Sequence, residues 1–240
     1  MYISQFVCCD MNVLIRIMLS RSLELYRQGG ISELSRGIRD YIKHDFGPDY
    51  QDRRTDNRAR WEFISSHIDH KNESLIDIGC AEGAFAAKAA ELGLEVTAFD
   101  RNVTRLQTAK IKHANYDNLR FVREELTPES IDELPESDVI LFLTVHHHWV
   151  ESYGWQNSIK MFRKLLQKAD KLFYEPPGNI GIKESVNNDF ISSEDSVNYY
   201  TNILNNSFGD DIEILDVMIT EYDSNSHRND PLFAIDCSNL

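Results

Sequence analysis

Cysteine is scarce in this 240-residue chain. The four cysteines show neither the density of a disulfide-stapled domain nor the spacing of a zinc site. The two adjacent ones are poor disulfide partners for each other. This usage predicts a reducing compartment, and the cytoplasm is the simplest expectation. The four are Cys8, Cys9, Cys80 and Cys237.

Long apolar runs are also missing. No segment approaches the roughly 20 apolar residues that a membrane-spanning helix needs. Near the start, Asp10 and several arginines interrupt the apolar part, which disfavours a cleaved signal peptide. With 42% hydrophobic and 10% aromatic residues, the composition is typical of a soluble globular protein. The length fits one domain with an extension.

Positive charge is in deficit. The formal net charge is −14, and it is unevenly spread: residues 1–60 carry +2 and residues 61–240 carry −16. An acidic body repels a phosphate backbone, so wide contact with nucleic acid is not expected. A small RNA site remains an alternative, because the leader is mildly basic.

The leader is the most basic part of the chain. Over residues 11–43, apolar side chains recur near a 3.6-residue period with arginines between them, which predicts helix. Such a segment either packs on its own domain or a second subunit, or rests on an anionic membrane surface. We therefore predict an N-terminal helical extension and linker over residues 1–54 and a folded domain over residues 55–240.

Apolar strands alternate with helices from Ser74 onward. This order predicts an α/β fold: a doubly wound, mostly parallel, seven-stranded sheet closed by a C-terminal antiparallel hairpin. The Asn/Ser-rich stretch 185–207 is interpreted as an insertion or a flexible lid. The predicted strands are 74–79, 95–100, 119–124, 138–145, 171–176, 212–223 and 231–238, and the helices between them are 82–92, 102–114 and 156–169.

Two acids mark one edge of this predicted sheet. Asp77 precedes a small-residue turn, D-I-G-C-A-E-G, and Asp100 ends the next strand, 21 residues after Gly79. Ligands of open α/β sheets bind at the carboxyl ends of the strands. There, Gly79 and Gly83 leave room for a ligand to touch main chain, and Asp100 is placed to accept hydrogen bonds from two ribose hydroxyls.

The turn also separates two kinds of nucleotide ligand. Dinucleotide sites use G-x-G-x-x-G, whereas the matching positions here are Gly79, Ala81 and Ala84. Asp77 adds a negative charge that disfavours a pyrophosphate and favours an ammonium or sulfonium group. The ligand that joins an adenosine ribose to a cationic amino-acid tail is S-adenosylmethionine.

Four successive motifs, D-I-G-C-A-E-G, A-F-D, F-V-R-E-E and D-V-I-L-F-L-T-V-H-H-H-W, resemble those of class I S-adenosylmethionine-dependent methyltransferases. The resemblance covers roughly residues 55–240, with Ala81 standing where the family has its middle glycine. It implies that Asp77, Gly79 and Gly83 hold the methionine part and that Asp100 holds the ribose.

The same resemblance extends to the adenine end of the ligand. It implies that Arg101 flanks the adenine edge and that Glu125 or Glu124 lies near the adenine amino group. A solvated acid is the alternative for Glu125. We also expect Cys80, Ala81 and Thr144 in the cofactor site.

Three histidines follow the predicted fourth strand. Methyl transfer to a hydroxyl also requires removal of a proton, which a neutral imidazole does well, whereas a carboxylate or phosphate acceptor needs no base. His147 is the first candidate base, with His146 and His148 behind it, and Trp149 and Tyr153 can form an aromatic wall. A structural role for the run is the alternative. No metal site is predicted, because no thiolate lies close in sequence.

Two further charged positions carry open alternatives. Glu175, at the end of the fifth strand, is a candidate catalytic residue that either orients a histidine or binds substrate hydroxyls, and capping of the loop is the alternative. Arg58 or Arg60 either reaches a carboxylate of cofactor or substrate, or lies on a surface helix face.

Only weaker resemblances indicate the class of molecule that accepts the methyl group. The segment L-T-V-H-H-H-W-V-E-S-Y-G-W is similar to methyltransferases that modify polysaccharides. We therefore predict an O-methyltransferase with a glycan or small-molecule acceptor, in the cytoplasm and in peripheral contact with a membrane through its leader. The alternatives are an RNA methyltransferase and a non-catalytic S-adenosylmethionine-binding protein. The sequence gives no oligomeric state.

Overall fold

The computed structural model describes residues 54–178, 193–221 and 229–240, together with the isolated residues 23, 26 and 27. The predicted extension therefore lies almost wholly outside the described residues, and its boundary stays a prediction. None of the helices in the described ranges has the length and apolar character needed to cross a membrane.

A seven-stranded sheet forms the centre of the fold. The strand order is β3-β2-β1-β4-β5-β7-β6, and all neighbours are parallel except the β5–β7 and β6–β7 pairs. The predicted fold class, with its closing antiparallel hairpin, is confirmed. The strands are β1 Ser74–Ile78, β2 Glu95–Asp100, β3 Leu119–Arg123, β4 Ser137–Leu143, β5 Ala169–Glu175, β6 Glu213–Glu221 and β7 Asn229–Asp236.

Six helices of the described chain cover the two faces of the sheet. The first five sit between the strands or just before them, and the sixth precedes the closing hairpin. They are α1 Asn57–Ser66, α2 Ala84–Glu91, α3 Val103–Lys112, α4 His146–Tyr153, α5 Trp155–Leu166 and α6 Ser193–Phe208, with short 3-10 turns at Ile131–Glu133 and Gly209–Asp211.

Helix α6 corrects the interpretation of the Asn/Ser-rich stretch. From residue 193 onward this stretch is regular helix, and Tyr200, Leu204 and Phe208 are buried in the core beside the sheet. The apolar residues recur at a four-residue spacing, which places them on one helical face. Asparagines and serines fill the remaining positions, so the composition concealed the period. Residues 185–192 lie outside the described residues.

The sheet brings the two predicted acids to one edge. Asp77 of β1 lies in register with Ala98 of β2 on one side and Leu141 of β4 on the other. The chain order reverses between β1 and β4, where loops leave in opposite directions and open a crevice. Asp100 ends β2 at the same edge, one strand away. The fold thus creates an opening beside two of the buried carboxylates, Asp77 and Asp100.

Candidate functional site

A cavity of about 360 Å³ opens at the carboxyl ends of β1, β2 and β4. This volume lies within the range of small-molecule sites. Eight of the predicted cofactor residues line it, whereas Gly83 and Arg58 do not. The eight are Asp77, Gly79, Cys80, Ala81, Asp100, Arg101, Glu125 and Thr144.

The turn after β1 is built from left-handed backbone. Gly79, Ala81 and Gly83 have φ angles of +72°, +52° and +77°, a region that L side chains rarely adopt. The N–H groups of Gly79 and Cys80 both donate to Phe99 O, at 2.8 and 3.0 Å. These bonds tie the turn to the end of β2 and so fix the cavity floor.

The structure corrects the reason for the two glycines. A Cβ on Gly79 would lie 2.5 Å from Val145 Cγ2, and one on Gly83 would lie 2.6 Å from the Phe121 ring. Both distances are shorter than a carbon–carbon contact allows. The space beside these glycines is therefore filled by the protein's own side chains. Gly79 still borders the cavity, but Gly83 serves the packing of α2 against β3.

Asp77 carries a strongly perturbed carboxylate. It is buried, and burial together with the nearby negative charge of Asp100 raises its pKa to about 7, although Arg60 opposes the shift. Burial of a charged carboxylate costs free energy, and a positively charged ligand beside it offsets that cost. The electrostatics of the cavity floor therefore favour a cation.

Asp100 is fixed by main-chain donors. Its Oδ2 accepts from Ala81 N at 2.9 Å, and its Oδ1 accepts from Asn102 N at 2.7 Å. Each carboxylate oxygen retains acceptor capacity after one such bond. The side chain is thus pre-oriented at the cavity and still able to accept from a pair of hydroxyls.

The predicted adenine-side residues form an ion pair at the cavity mouth. Arg101 Nη1 lies 3.0 Å from Glu125 Oε1, and Tyr153 Oη donates to the same oxygen at 3.4 Å. Both charged side chains are about half exposed. Glu124 and the buried Leu126 also line the cavity, so this side offers both polar and apolar surface.

Glu175 lies in a buried ion-pair cluster next to the cavity. It is fully buried; its Oε1 accepts from Arg54 at 2.9 Å, and its Oε2 accepts from Arg60 and, at 3.0 Å, from the Thr144 hydroxyl. Arg60 and Arg54 lower the pKa of Glu175, outweighing the opposing effect of burial. Glu175 does not line the cavity, and its carboxylate contacts Arg54, Arg60 and Thr144 in place of the predicted histidine or substrate hydroxyls.

Of the two arginines considered from the sequence, Arg60 lines the cavity and Arg58 does not. The Arg58 side chain is 89% exposed and pairs with Glu62 one helical turn away. Arg60 is buried, lies over the Phe85 ring and lines the cavity together with Arg54. Its position on the inner face of α1 follows from the helical period, which separates residues 58 and 60 by about 200°.

The histidine run is helical, so its three side chains diverge. His146 is fully buried, with Nδ1 2.6 Å from Tyr174 Oη and its pKa lowered by burial to about 3. This histidine packs in the core and does not line the cavity. His147, the first candidate, is not among the cavity-lining residues. His148 does line the cavity, and its ring centroid lies 3.9 Å from that of His147.

The lining residues fit the predicted cofactor. Asp77 matches a cationic group, Asp100 matches a vicinal diol, and Leu126 and Trp149 supply apolar walls. Arg60 Nε is buried and has no hydrogen-bond partner among the described residues, which leaves a donor for a ligand carboxylate. Within the described ranges, no cluster of three or more His, Cys, Asp or Glu side chains is placed to hold a metal ion.

Several lining residues were not predicted from the sequence. The segment R-R-T-D-N-R-A-R-W held the signal for two of them, since an arginine cluster before a first strand is unusual in an acidic chain. The others lie at a strand end or shortly after one, where any residue can face the crevice. These lining residues are Arg54, Asn57, Asn102, Arg105, Leu126 and Leu143.

Comparison with known proteins agrees with this geometry. Residues 76–171 match a family model described as a methyltransferase domain. The chain is 29% identical over 133 residues to the ubiquinone biosynthesis O-methyltransferase of Pelagibacter ubique, covering 55% of this chain and 49% of that protein. The corresponding protein of Rickettsia typhi is 32% identical over 97 residues, 38% of this chain and 39% of its own. The chain thus spans at most about half of these relatives.

Solved structures share the fold. A crystal structure of WbdD, described as a bifunctional kinase-methyltransferase, superposes with a TM-score of 0.58 at 16% identity, covering 77% of this chain and 41% of WbdD. The N-methyltransferase NodS of Bradyrhizobium japonicum WM9, in complex with S-adenosyl-L-homocysteine, gives 0.51 at 13% identity over 76% of this chain and 87% of NodS. These matches agree with the predicted resemblance to methyltransferases that use S-adenosylmethionine: residues 76–171 match a methyltransferase domain by sequence, and the solved structures share its fold.

Proposed function

We propose that this protein transfers a methyl group from S-adenosylmethionine to a hydroxyl oxygen of a small molecule or a sugar. One observation carries the proposal: two buried carboxylates, Asp77 and Asp100, line a single cavity at the carboxyl edge of a methyltransferase fold. A methyl group on a positively charged sulfur is the chemistry that the cofactor supplies when bound.

The chain's own residues have three tasks in this reaction. Asp77 and Asp100 bind and orient the cofactor through charge and hydrogen bonds. Leu126 and Trp149 exclude water from the cavity, which strengthens those interactions. The turn after β4, at Thr144 and Val145, borders the same space, so an acceptor placed there would be aligned by rigid backbone.

Proton removal from the acceptor falls to His148 in this proposal. It is the one histidine of the run that lines the cavity. Partial burial, together with the positive charges of Arg101 and Arg105, lowers its pKa, so the imidazole is neutral near pH 7 and able to accept a proton. His147 stays the competing prediction, and the two are separated by substituting each.

Oxygen as the acceptor atom is supported by the relatives. The curated proteins that share about 30% identity with this chain are named O-methyltransferases. The fold alone does not decide, since NodS is an N-methyltransferase. An acidic body of −16 over residues 61–240 argues against RNA as the acceptor. A glycan acceptor, the cytoplasmic location and membrane contact through residues 11–43 stay predictions.

An assay coupled to formation of S-adenosylhomocysteine, run over phenols, sugars, uronic acids and RNA, tests the proposal. We expect turnover with a hydroxyl-bearing acceptor, a loss of on the order of 100-fold in His148→Gln, and little change in His147→Gln. Glu62→Gln is the matched surface control, because Glu62 pairs only with the exposed Arg58 among the described residues.

Three results would count against the proposal. Turnover with RNA alone would mean that the acceptor is RNA and not a small molecule or a sugar. Tight cofactor binding with no turnover on any acceptor, in a protein whose Asp100→Asn variant loses that binding, would favour a non-catalytic binding protein. Equal activity of the wild type and His148→Gln would remove the proposed base and leave His147 to be tested.

A further inference from the structure

Two of the four arginines that line the cavity are buried, although the proposed cofactor carries a positive charge. Arg54 and Arg60 are both buried and both border the space beside Asp77. By themselves, two guanidinium groups at this depth would neutralise Asp77 and Asp100 and leave the cavity without a net negative charge. The selectivity of the site therefore depends on what balances the arginines.

Carboxylates on the far side of the arginines supply that balance. Arg54 forms a two-bond pair with Asp56, at 2.9 and 3.0 Å, and a third bond of 2.9 Å to Glu175. Arg60 donates to the other oxygen of Glu175 and, through Nη1, to Asn57 at 2.9 Å. Among the residues that the structure describes, Glu175 is the only carboxylate paired with both arginines.

Glu175 also holds the cavity wall in place. Its carbonyl accepts from Thr144 N at 2.7 Å while its side chain accepts from the Thr144 hydroxyl. Thr144 has a φ of +60°, a conformation that costs a β-branched residue free energy and persists only where the surroundings impose it. One buried carboxylate thus fixes both the arginines and the wall residue that follows β4.

We propose that Glu175 is a positioning residue that sets the charge preference of the cavity, acting through Arg60 and Arg54. Because Glu175 and Asp56 pair with the two arginines, Arg60 offsets only part of the Asp77 charge, and Asp77 and Asp100 select a cationic ligand. The inference rests on the proposed function, and it assigns to Glu175 a discrimination between cofactor and product.

The reaction supplies two probes that differ by one charge. S-adenosylmethionine carries a positive sulfur, whereas its demethylated product, S-adenosylhomocysteine, has a neutral sulfur and otherwise the same groups. A site with net negative charge therefore binds the cofactor more tightly than the product. Loss of the Glu175 charge makes the surroundings one unit more positive, which weakens the cofactor relative to the product.

Isothermal titration calorimetry of both ligands on the full chain measures this preference as a ratio of dissociation constants. For Glu175→Gln we expect the ratio to shift against the cofactor on the order of ten-fold, from the loss of one charge close to the ligand at low effective dielectric. Glu175→Asp keeps the charge and should retain the wild-type ratio. Glu62→Gln, the same change at an exposed pair, should also leave it unchanged.

The ratio separates charge from simple damage to the fold, because loss of structure weakens both ligands alike. Where Glu175→Gln does not fold, Asp56→Asn decides, since it removes the other balancing charge and must move the ratio in the same direction. A wild-type ratio in the folded variants would overturn the role of Glu175 while leaving the proposed function intact. A wild-type protein that binds neither ligand would overturn both.

Discussion

Asp77→Asn should stabilise the ligand-free protein in a pH-dependent way. The substitution keeps the shape and one acceptor oxygen but removes a charge that is buried beside Asp100 and lines the cavity. Burial and the Asp100 charge raise the pKa of Asp77 from 3.8 to about 7 in the folded protein. Between these two values the folded state holds a proton that the unfolded chain has released, so rising pH favours unfolding.

The magnitude follows from that window. Each pH unit between the two pKa values costs the folded wild type about 1.4 kcal/mol, so the change from pH 5 to pH 8 amounts to roughly 3 kcal/mol. Asparagine does not titrate and escapes this loss. The free energy of unfolding of the variant, relative to the wild type, should therefore rise by that amount across the range.

Urea unfolding followed by circular dichroism at pH 5 and pH 8, without cofactor, measures the difference. Asp132→Asn is the control, because the Asp132 side chain is 63% exposed and pairs with Lys164 at the surface. Titrating groups that do not interact with Asp77 are common to variant and wild type, so their contributions cancel. A variant-minus-wild-type difference that is the same at both pH values would refute the reasoning about Asp77.

Three further results are expected. Gly79→Ala should destabilise the fold by about 1–3 kcal/mol, because the new Cβ would clash with Val145 and the backbone φ is positive. Urea unfolding of the double variant with Val145→Ala should show partial recovery of stability. If the losses of stability of the two single variants simply add in the double variant, the clash is not the cause. His146→Leu should cost about 1–3 kcal/mol by leaving a buried hydroxyl unpaired, with turnover in the coupled assay nearly unchanged; a collapse of turnover in folded protein would make His146 catalytic. Arg58→Ala should leave the cofactor dissociation constant within about two-fold by calorimetry, and a large loss would place Arg58 at the site.

The fold was predictable because its strands are both buried and evenly interrupted. A long apolar run such as β4 is interpreted as a buried parallel strand when helical segments precede and follow it in the sequence. Two segments were misjudged for a common reason. In α4 and α6, polar residues occupy the exposed positions so densely that the helical period of the buried ones is hard to see. Trp149 and Val150 of α4 are buried in the same core cluster as the apolar face of α6.

The site was predictable where the backbone dictates it and not where side chains compete for partners. Asp77 and Asp100 end parallel strands, so their meeting at one edge follows from topology alone. Glu175 also ends a strand at this edge, but the sequence does not show that two arginines reach it from before β1. That pairing turns a candidate catalytic acid into a structural one, and only the folded contacts reveal the difference.

The buried arginines and carboxylates of the site have to be considered together. An ion pair taken out of water returns little stability by itself, and the Glu175 cluster places two arginines where a hydrophobic wall would have served the core as well. Its effect is on the electrostatic balance: Arg60 limits the pKa shift of Asp77, and Glu175, paired with both arginines, prevents them from cancelling the Asp77 charge. A carboxylate poised near neutral pH binds a cation strongly and releases a neutral product readily. That asymmetry is what a methyl-transfer cycle requires between its substrate and product forms of one cofactor.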